Sequence, residues 1–309
     1  MRDTFFANLH GMMARDDKVF VLSADFGAPT LDAIRNDFPQ RFINVGIAEQ
    51  NLIAVAAGLA LEGHKVVCYA IAPFITMRCL EQIRVNLAIL SQLRPMSVTL
   101  IGVGAGMSYE VSGPTHHCIE DVAVLAALPN VHVWSPSDAQ VSGALAEHCV
   151  GGGGIHYIRC DAKPQPPLSE APVDLRRGFR ALTGRGATAV VSTGYPTQVI
   201  HGLFADHPEL EKLASSIDVF NINGFDEAAL ADQLRGAERI LVVQESVRDG
   251  GLDARIRRLA DERRFAARVA VRAMAGAYSF DIGSRDRLHR NYGLSRDQLA
   301  QALLDPNHP

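Results

Sequence analysis

An α/β protein with two doubly wound domains is the fold class that this sequence predicts. Short β-rich runs alternate with segments of helical period from residue 18 onward, which is the pattern of a mostly parallel sheet flanked by helices. A proline-rich stretch interrupts the alternation once, after which the pattern resumes. A chain of 309 residues has enough material for two ordinary domains, each with a buried core.

The first domain is predicted over residues 1–165 and contains a mostly parallel sheet. A buried helix is predicted over 48–61, because apolar residues recur there at helical spacing and Gly63 follows as a left-handed stop. Glu49 stands at the N-terminal end of this helix. The predicted strands of the domain lie at 19–23, 65–70, 96–103, 131–134 and 155–159.

The boundary between the domains is predicted within a segment that lacks periodicity. Residues 161–174 hold four of the fifteen prolines of the chain, so we place a linker at 166–180. A smaller α/β domain is predicted over 181–309. Its strands are predicted at 188–194, 216–222, 239–246 and 267–274.

The composition excludes several classes of protein. A net charge of −4, with no long run of lysine or arginine, lacks the footprint of a nucleic-acid binder and favours a small-molecule substrate. The five cysteines are widely spaced and form no C-x-x-C pair, which fits a reducing cytoplasm. No apolar stretch approaches the roughly 20 residues of a membrane span, and the N-terminus does not resemble a secretory signal.

Three loops, at 44–51, 102–118 and 159–163, are more polar or richer in glycine than the apolar elements that they join. They are predicted at one edge of the sheet, where open α/β folds bind their ligands. The carboxylate of Glu49, in the first loop, would be stabilised by the helix dipole. An acidic residue in the first turn is also common for structural reasons alone.

Sequence motifs around these loops resemble the transketolase family. Residues 42–63, FINVGIAEQNLIAVAAGLALEG, resemble the stretch of transketolases and deoxyxylulose-phosphate synthases whose glutamate bonds N1′ of the thiamine aminopyrimidine. Residues 113–139, GPTHHCIEDVAVLAALPNVHVWSPSDA, are the more specific match. Weaker markers are APFITMRCLEQIRVNLAI at 72–89 and, in the second domain, QES at 244–246 followed by GGL at 250–252. The resemblance is dense over 20–160 and thin after 185.

The resemblance implies a cofactor, a reaction and a partner. Glu49 would protonate N1′ of thiamine diphosphate, so that the cofactor carries a two-carbon ketol unit from a ketose or ketose phosphate to an aldehyde. Burial in an apolar wall would favour the protonated acid. In this family a separate domain with a G-D-G motif holds the diphosphate and its Mg²⁺ or Ca²⁺, and this sequence lacks that motif. We therefore expect no metal ligand here and a separate diphosphate-binding subunit, with pairing of the pyrimidine domains giving a cytoplasmic heterotetramer.

The resemblance also assigns residues to the site. Phe74 is the candidate aromatic neighbour of the aminopyrimidine, although an aromatic after a strand is equally often core. Ile47 and Gln50 would line the same pocket, unless helix packing explains them. His116 matches the histidine that bonds the hydroxyl groups of the donor, and His117 has no assigned role. Arg159 matches an arginine that grips the substrate phosphate, its alternative being a surface charge at a strand end.

The sequence departs from ordinary transketolases where they bind the sugar. Ser112 replaces an aspartate that reads a sugar hydroxyl, and Gly104 replaces a histidine of the phosphate clamp. Gly27, Ala28 and Pro29 stand where Ser-Asn is usual, so we expect a rebuilt substrate site. Two arginines on the marker helix, Arg78 and Arg84, are interpreted as packing or interface residues.

Two alternatives remain open at this point. The β subunit of a 2-oxo acid dehydrogenase has the same pair of domains and a separate partner, but that class lacks GPTHH in this loop. A non-catalytic interaction subunit could keep the fold alone. Such a subunit has no need for Glu49, His116 and Arg159 together.

Overall fold

The computed structural model describes residues 1–274 and 277–305, which form two β-sheets flanked by helices. All strand pairs of the first sheet are parallel, and the order is β2-β1-β3-β4-β6-β5. Its strands are β1 (Val19–Ser23), β2 (Phe42–Asn44), β3 (Lys65–Ile71), β4 (Ser97–Val103), β5 (Val131–Trp134) and β6 (Gly154–Cys160). The predicted α/β class is thereby confirmed, while β2 was not predicted because it is only three residues long.

Helices cover both faces of this sheet. They are α1 (Arg2–Met13), α2 (Pro29–Asp37), α3 (Glu49–Leu61), α4 (Ala72–Thr76), α5 (Leu80–Gln82), α6 (Asp121–Leu125) and α7 (Ala139–Leu145). A π-helical segment, Ile83–Ile89, follows α5 and leads into the 3₁₀ segment Leu90–Gln92, and a second π-helical segment, Ala146–Gly151, follows α7. The predicted buried helix is α3, and it ends as expected, because Gly63 adopts φ +85°.

The second sheet has the order β11-β10-β8-β9-β7 and one antiparallel pair, between β7 and β9. Its strands are β7 (Phe179–Thr183), β8 (Thr188–Ser192), β9 (Ala214–Val219), β10 (Arg239–Val247) and β11 (Arg268–Met274). Its helices are α8 (Tyr195–Asp206), the 3₁₀ segment Pro208–Lys212, α9 (Glu227–Leu234), α10 (Leu252–Glu262), α11 (Arg285–Arg290) and α12 (Arg296–Leu304). The edge strand β7 was not predicted, and Phe179 and Arg180 at its start lie inside the predicted linker.

The two sheets share a core and a hydrogen-bonded seam. One hydrophobic cluster runs from Leu22 and Leu52 of the first unit to Val191 and Ile240 of the second. The end of β5 joins the segment after β9, since Ser135 N donates to the carbonyl of Phe220 at 2.8 Å. The two units therefore pack as one body with a buried interface. No helix of the described residues is long and apolar enough to cross a membrane.

His156 on β6 is buried in its neutral form. Its Nδ1 accepts a hydrogen bond from Trp134 Nε1 at 3.1 Å, so its Nε2 donates to the carbonyl of Gly153 at 2.7 Å. Protonation of Nδ1 would set two donors against each other. Burial lowers the pKa of His156 to about 4, and the nearby rings of His132 and His148 add to this decrease.

We therefore expect the chain to lose stability in mild acid through His156. A histidine whose pKa is lowered on folding stabilises the protein above the pKa of the unfolded chain, near 6.5, and this stabilisation is lost as the pH falls towards 4. The free energy of unfolding should fall by about 2 kcal/mol between pH 7 and pH 5 through this group. Urea denaturation at both pH values measures it, with His156→Leu as the control. Equal pH slopes for the two proteins would contradict the assignment.

Candidate functional site

Glu49 is the first residue of α3 and its side chain is buried, with 4% exposed. Its Oε2 accepts a hydrogen bond from Arg78 Nη1 at 2.7 Å. Burial raises the pKa of the neighbouring Cys79 thiol to about 12, and the charge of Glu49 contributes to this increase. The expected apolar wall around Glu49 is therefore incomplete, because a guanidinium forms part of it.

Arg78 connects three of the predicted site residues. Besides its bond to Glu49, its guanidinium carbon lies 4.3 Å from the centroid of the Phe74 ring. Its backbone carbonyl accepts from Gln50 Nε2 at 3.1 Å. The interpretation of Arg78 as a packing or interface residue is thus corrected. Its spacing from Phe74, four residues, was the signal that could have placed both side chains on one face.

His116 extends this set of contacts to the GPTHH loop. Its ring lies edge to face with Phe74, with 5.3 Å between the centroids. Thr115 Oγ1 lies 3.0 Å from His116 Nδ1. The structure therefore brings Glu49, Phe74 and His116 into one cluster through Arg78.

Tyr109 fills the space at the position where the family carries a histidine. A Cβ atom on Gly104, which has φ +102°, would lie 2.2 Å from the Tyr109 ring. That ring also packs edge to face near His116, at 6.3 Å between centroids. Glycine at 104 is thus required by the close approach of Tyr109, a site residue that the sequence analysis missed.

Two predicted residues lie at the surface of the chain. Ile47 is 78% exposed, so within this chain it lines no enclosed pocket. Ser112 is also exposed, and its backbone N–H donates to the carbonyl of Tyr109. Both lie in the two loops that carry Glu49 and His116.

The structure corrects the role expected for Arg159. Its side chain is 2% exposed, and Nε donates to Asp121 at 2.9 Å while Nη2 donates to the carbonyl groups of Cys118 and Glu245. This guanidinium is committed to an internal ion pair, so it is neither a phosphate ligand nor a surface charge. Lys163, which follows shortly after the end of β6, is an accessible cation of this loop, and its Nζ lies 2.7 Å from Glu110.

The cluster has the chemistry to hold an aminopyrimidine. A buried carboxylate accepts from a ring N–H, and an aromatic face stacks on a planar ring. Among residues 1–274 and 277–305, no group of three or more histidine, cysteine, aspartate or glutamate side chains is arranged to hold a metal. The residues present thus fit the pyrimidine end of a cofactor.

A comparison with known families identifies the first half of the chain. The family described as "Transketolase, pyrimidine binding domain" matches residues 1–157. The chain belongs to this family. Transketolases are thiamine-diphosphate-dependent transferases, which agrees with the cofactor and the enzyme class predicted from the sequence.

Relatives and a solved structure agree over almost the whole chain. The chain is 28% identical over 273 residues to an apulose-4-phosphate transketolase subunit of Actinobacillus succinogenes, covering 88% of this chain and 86% of the relative. It is 26% identical to a 6-deoxy-6-sulfo-D-fructose transketolase subunit of a Clostridium species, covering 98% and 92%. The fold matches a solved "Split gene transketolase, inactive beta4 tetramer" with a TM-score of 0.85 at 24% identity, covering 98% and 96%. The predicted transketolase resemblance is thereby confirmed.

Proposed function

We propose that this chain is the pyrimidine-binding subunit of a two-component transketolase, which transfers a two-carbon ketol unit from a ketose to an aldehyde. The observation that carries the proposal is the buried carboxylate of Glu49 beside Phe74 and His116, in a chain of the transketolase family. Thiamine diphosphate, when bound, supplies the carbon nucleophile. Glu49 holds and moves a proton at pyrimidine N1′, Phe74 orients the ring, and His116 donates to the oxygen atoms of the donor sugar.

A partner subunit follows from what this sequence contains. It has no G-D-G motif for the diphosphate, so we assign the diphosphate and its Mg²⁺ or Ca²⁺ to a separate chain. The names of the relatives, as subunits, and the inactive tetramer formed by one of them alone support this assignment. Val85, Ile89 and Leu93 are exposed at spacings of four residues and offer an apolar stripe for pairing of two pyrimidine domains. The proposed assembly is a cytoplasmic heterotetramer, with a first domain at 1–165 and a second that begins near residue 179.

The substrate site differs from that of an ordinary transketolase. Tyr109 fills the space at Gly104, and Ser112 with His116 lines the proposed sugar side. Lys163 replaces Arg159 as the candidate for a negatively charged substrate group. The two named relatives act, by their names, on different ketoses at similar identity, so neither substrate is assigned to this chain.

Reconstitution tests the proposed activity. The chain is combined with the diphosphate-binding subunit, thiamine diphosphate and Mg²⁺, and ketoses and ketose phosphates are offered with an aldehyde acceptor. We expect release of the aldehyde that is two carbons shorter than the donor. Reduction of a lipoyl group from a 2-oxo acid, without ketose turnover, would support the dehydrogenase alternative. A complex without either activity would support a non-catalytic subunit.

A further inference from the structure

Arg78 contacts both of the groups that are proposed to hold the aminopyrimidine. Its Nη1 donates to Glu49, and its guanidinium lies against the ring of Phe74. A guanidinium is planar, cationic and rich in N–H donors, as is a protonated aminopyrimidine. One side chain of this protein therefore makes the same two kinds of contact that the cofactor ring would make.

We propose that Arg78 competes with the cofactor aminopyrimidine for Glu49 and Phe74, and that it thereby sets the affinity of the site. The proposal rests on the proposed function, which assigns those two residues to the pyrimidine. His116 already packs against Phe74 at 5.3 Å, so the contact made by Arg78 is the one that a stacking ring must take over. Arg78 acts through Glu49 and Phe74 and is a positioning residue.

The structure allows the Arg78 side chain to leave while its backbone stays. The side chain is 44% exposed, so the guanidinium can move into water at small cost. The backbone carbonyl is held by Gln50 Nε2, which fixes the segment to the first turn of α3. Because Glu49 is buried, it needs a donor at all times. Exchange of Arg78 for a ring N–H keeps that carboxylate paired throughout.

The affinity of the assembled enzyme for thiamine diphosphate tests the competition. Calorimetric titration at saturating Mg²⁺ compares the wild type with Arg78→Met, whose side chain is unbranched and cannot donate. We expect the dissociation constant to fall about tenfold in Arg78→Met, since one charge-assisted contact no longer has to be displaced. Arg84→Met removes an exposed arginine of the same helical stretch that pairs with Glu81, and it should leave the constant unchanged.

Weaker or equal binding in Arg78→Met would overturn the proposal, because a partner that merely supports Glu49 predicts a loss. Thermal unfolding of each variant reports its folding. If Arg78→Met does not fold, Arg78→Lys decides, since it keeps the charge and loses the planar stack. Tighter binding in that variant supports competition, and equal or weaker binding overturns it.

A second readout separates this inference from the proposed function. The fragment 4-amino-5-hydroxymethyl-2-methylpyrimidine is titrated into this chain alone at millimolar concentration, and binding is followed by saturation-transfer NMR. Loss of binding in Glu49→Gln supports the function, and a gain in Arg78→Met supports competition. A loss in Glu49→Gln without any gain in Arg78→Met overturns the competition and leaves the function standing. Unchanged binding in Glu49→Gln overturns the function itself.

Discussion

Replacement of Glu49 by glutamine should lower the turnover of the assembled enzyme by on the order of 100-fold or more. Glutamine has nearly the same shape, and its carbonyl oxygen can still accept from Arg78 Nη1. It cannot take up or release a proton at pyrimidine N1′. Because the side chain is buried at the start of α3, water has little access to replace it. The loss therefore reports proton transfer rather than packing.

Steady-state rates at saturating cofactor and substrates measure this effect. Glu62→Gln is the matched control, because Glu62 is exposed and follows the last residue of the same helix. The control should keep wild-type turnover. Glu49→Ala should lose as much activity as Glu49→Gln and still fold and assemble. Wild-type turnover in either Glu49 variant would remove this residue from the mechanism.

The parallel sheet and the position of Glu49 could be predicted because both are written in local pattern. The strands that run through the core are continuous apolar runs, and α3 is an apolar helix that ends at Gly63. By contrast, β2 and β7 are a short strand and an edge strand. Their pairing is decided by neighbours that are distant in the sequence, so local pattern did not reveal them.

The errors at the site have the same origin. Arg78 and Glu49 are 29 residues apart in the sequence, and their bond depends on how two elements pack. Tyr109 becomes part of the site because Gly104 leaves room for its ring. Arg159 was assigned by position in a strand, but the charge of Asp121, 38 residues away, determines where its guanidinium points. Charged side chains near a sheet edge are therefore the least predictable part of this site.

The buried ion cluster between the two domains should respond strongly to loss of its central arginine. Arg285 on α11 donates through Nε to Glu245 at 2.7 Å and through Nη1 to Asp161 at 2.5 Å. Asp161 follows β6 of the first sheet, and Glu245 lies in β10 of the second. All three side chains are at most 5% exposed. One guanidinium therefore neutralises a carboxylate from each domain.

The charges of this cluster depend on each other. Burial alone would raise the pKa of Glu245, but Arg285 and His289 outweigh it and hold that pKa well below its ordinary value. A carboxylate with a lowered pKa stabilises the fold above the ordinary pKa of glutamate, and this stabilisation is lost as the pH falls below about 4. At neutral pH the pairing is complete, so that is where loss of the arginine should cost most.

We expect Arg285→Met to lower the free energy of unfolding by about 3 to 5 kcal/mol at pH 7, because two buried carboxylates lose their main partner. Urea denaturation measures the change. Arg287→Met, an exposed arginine of the same helix, is the control and should have little effect. Adding Glu245→Gln and Asp161→Asn to Arg285→Met should recover part of the loss, since the unpaired charges are then gone. If these neutral partners recover nothing, the cost lies in packing against Tyr195, whose ring centroid is 3.7 Å from the guanidinium carbon, rather than in charge.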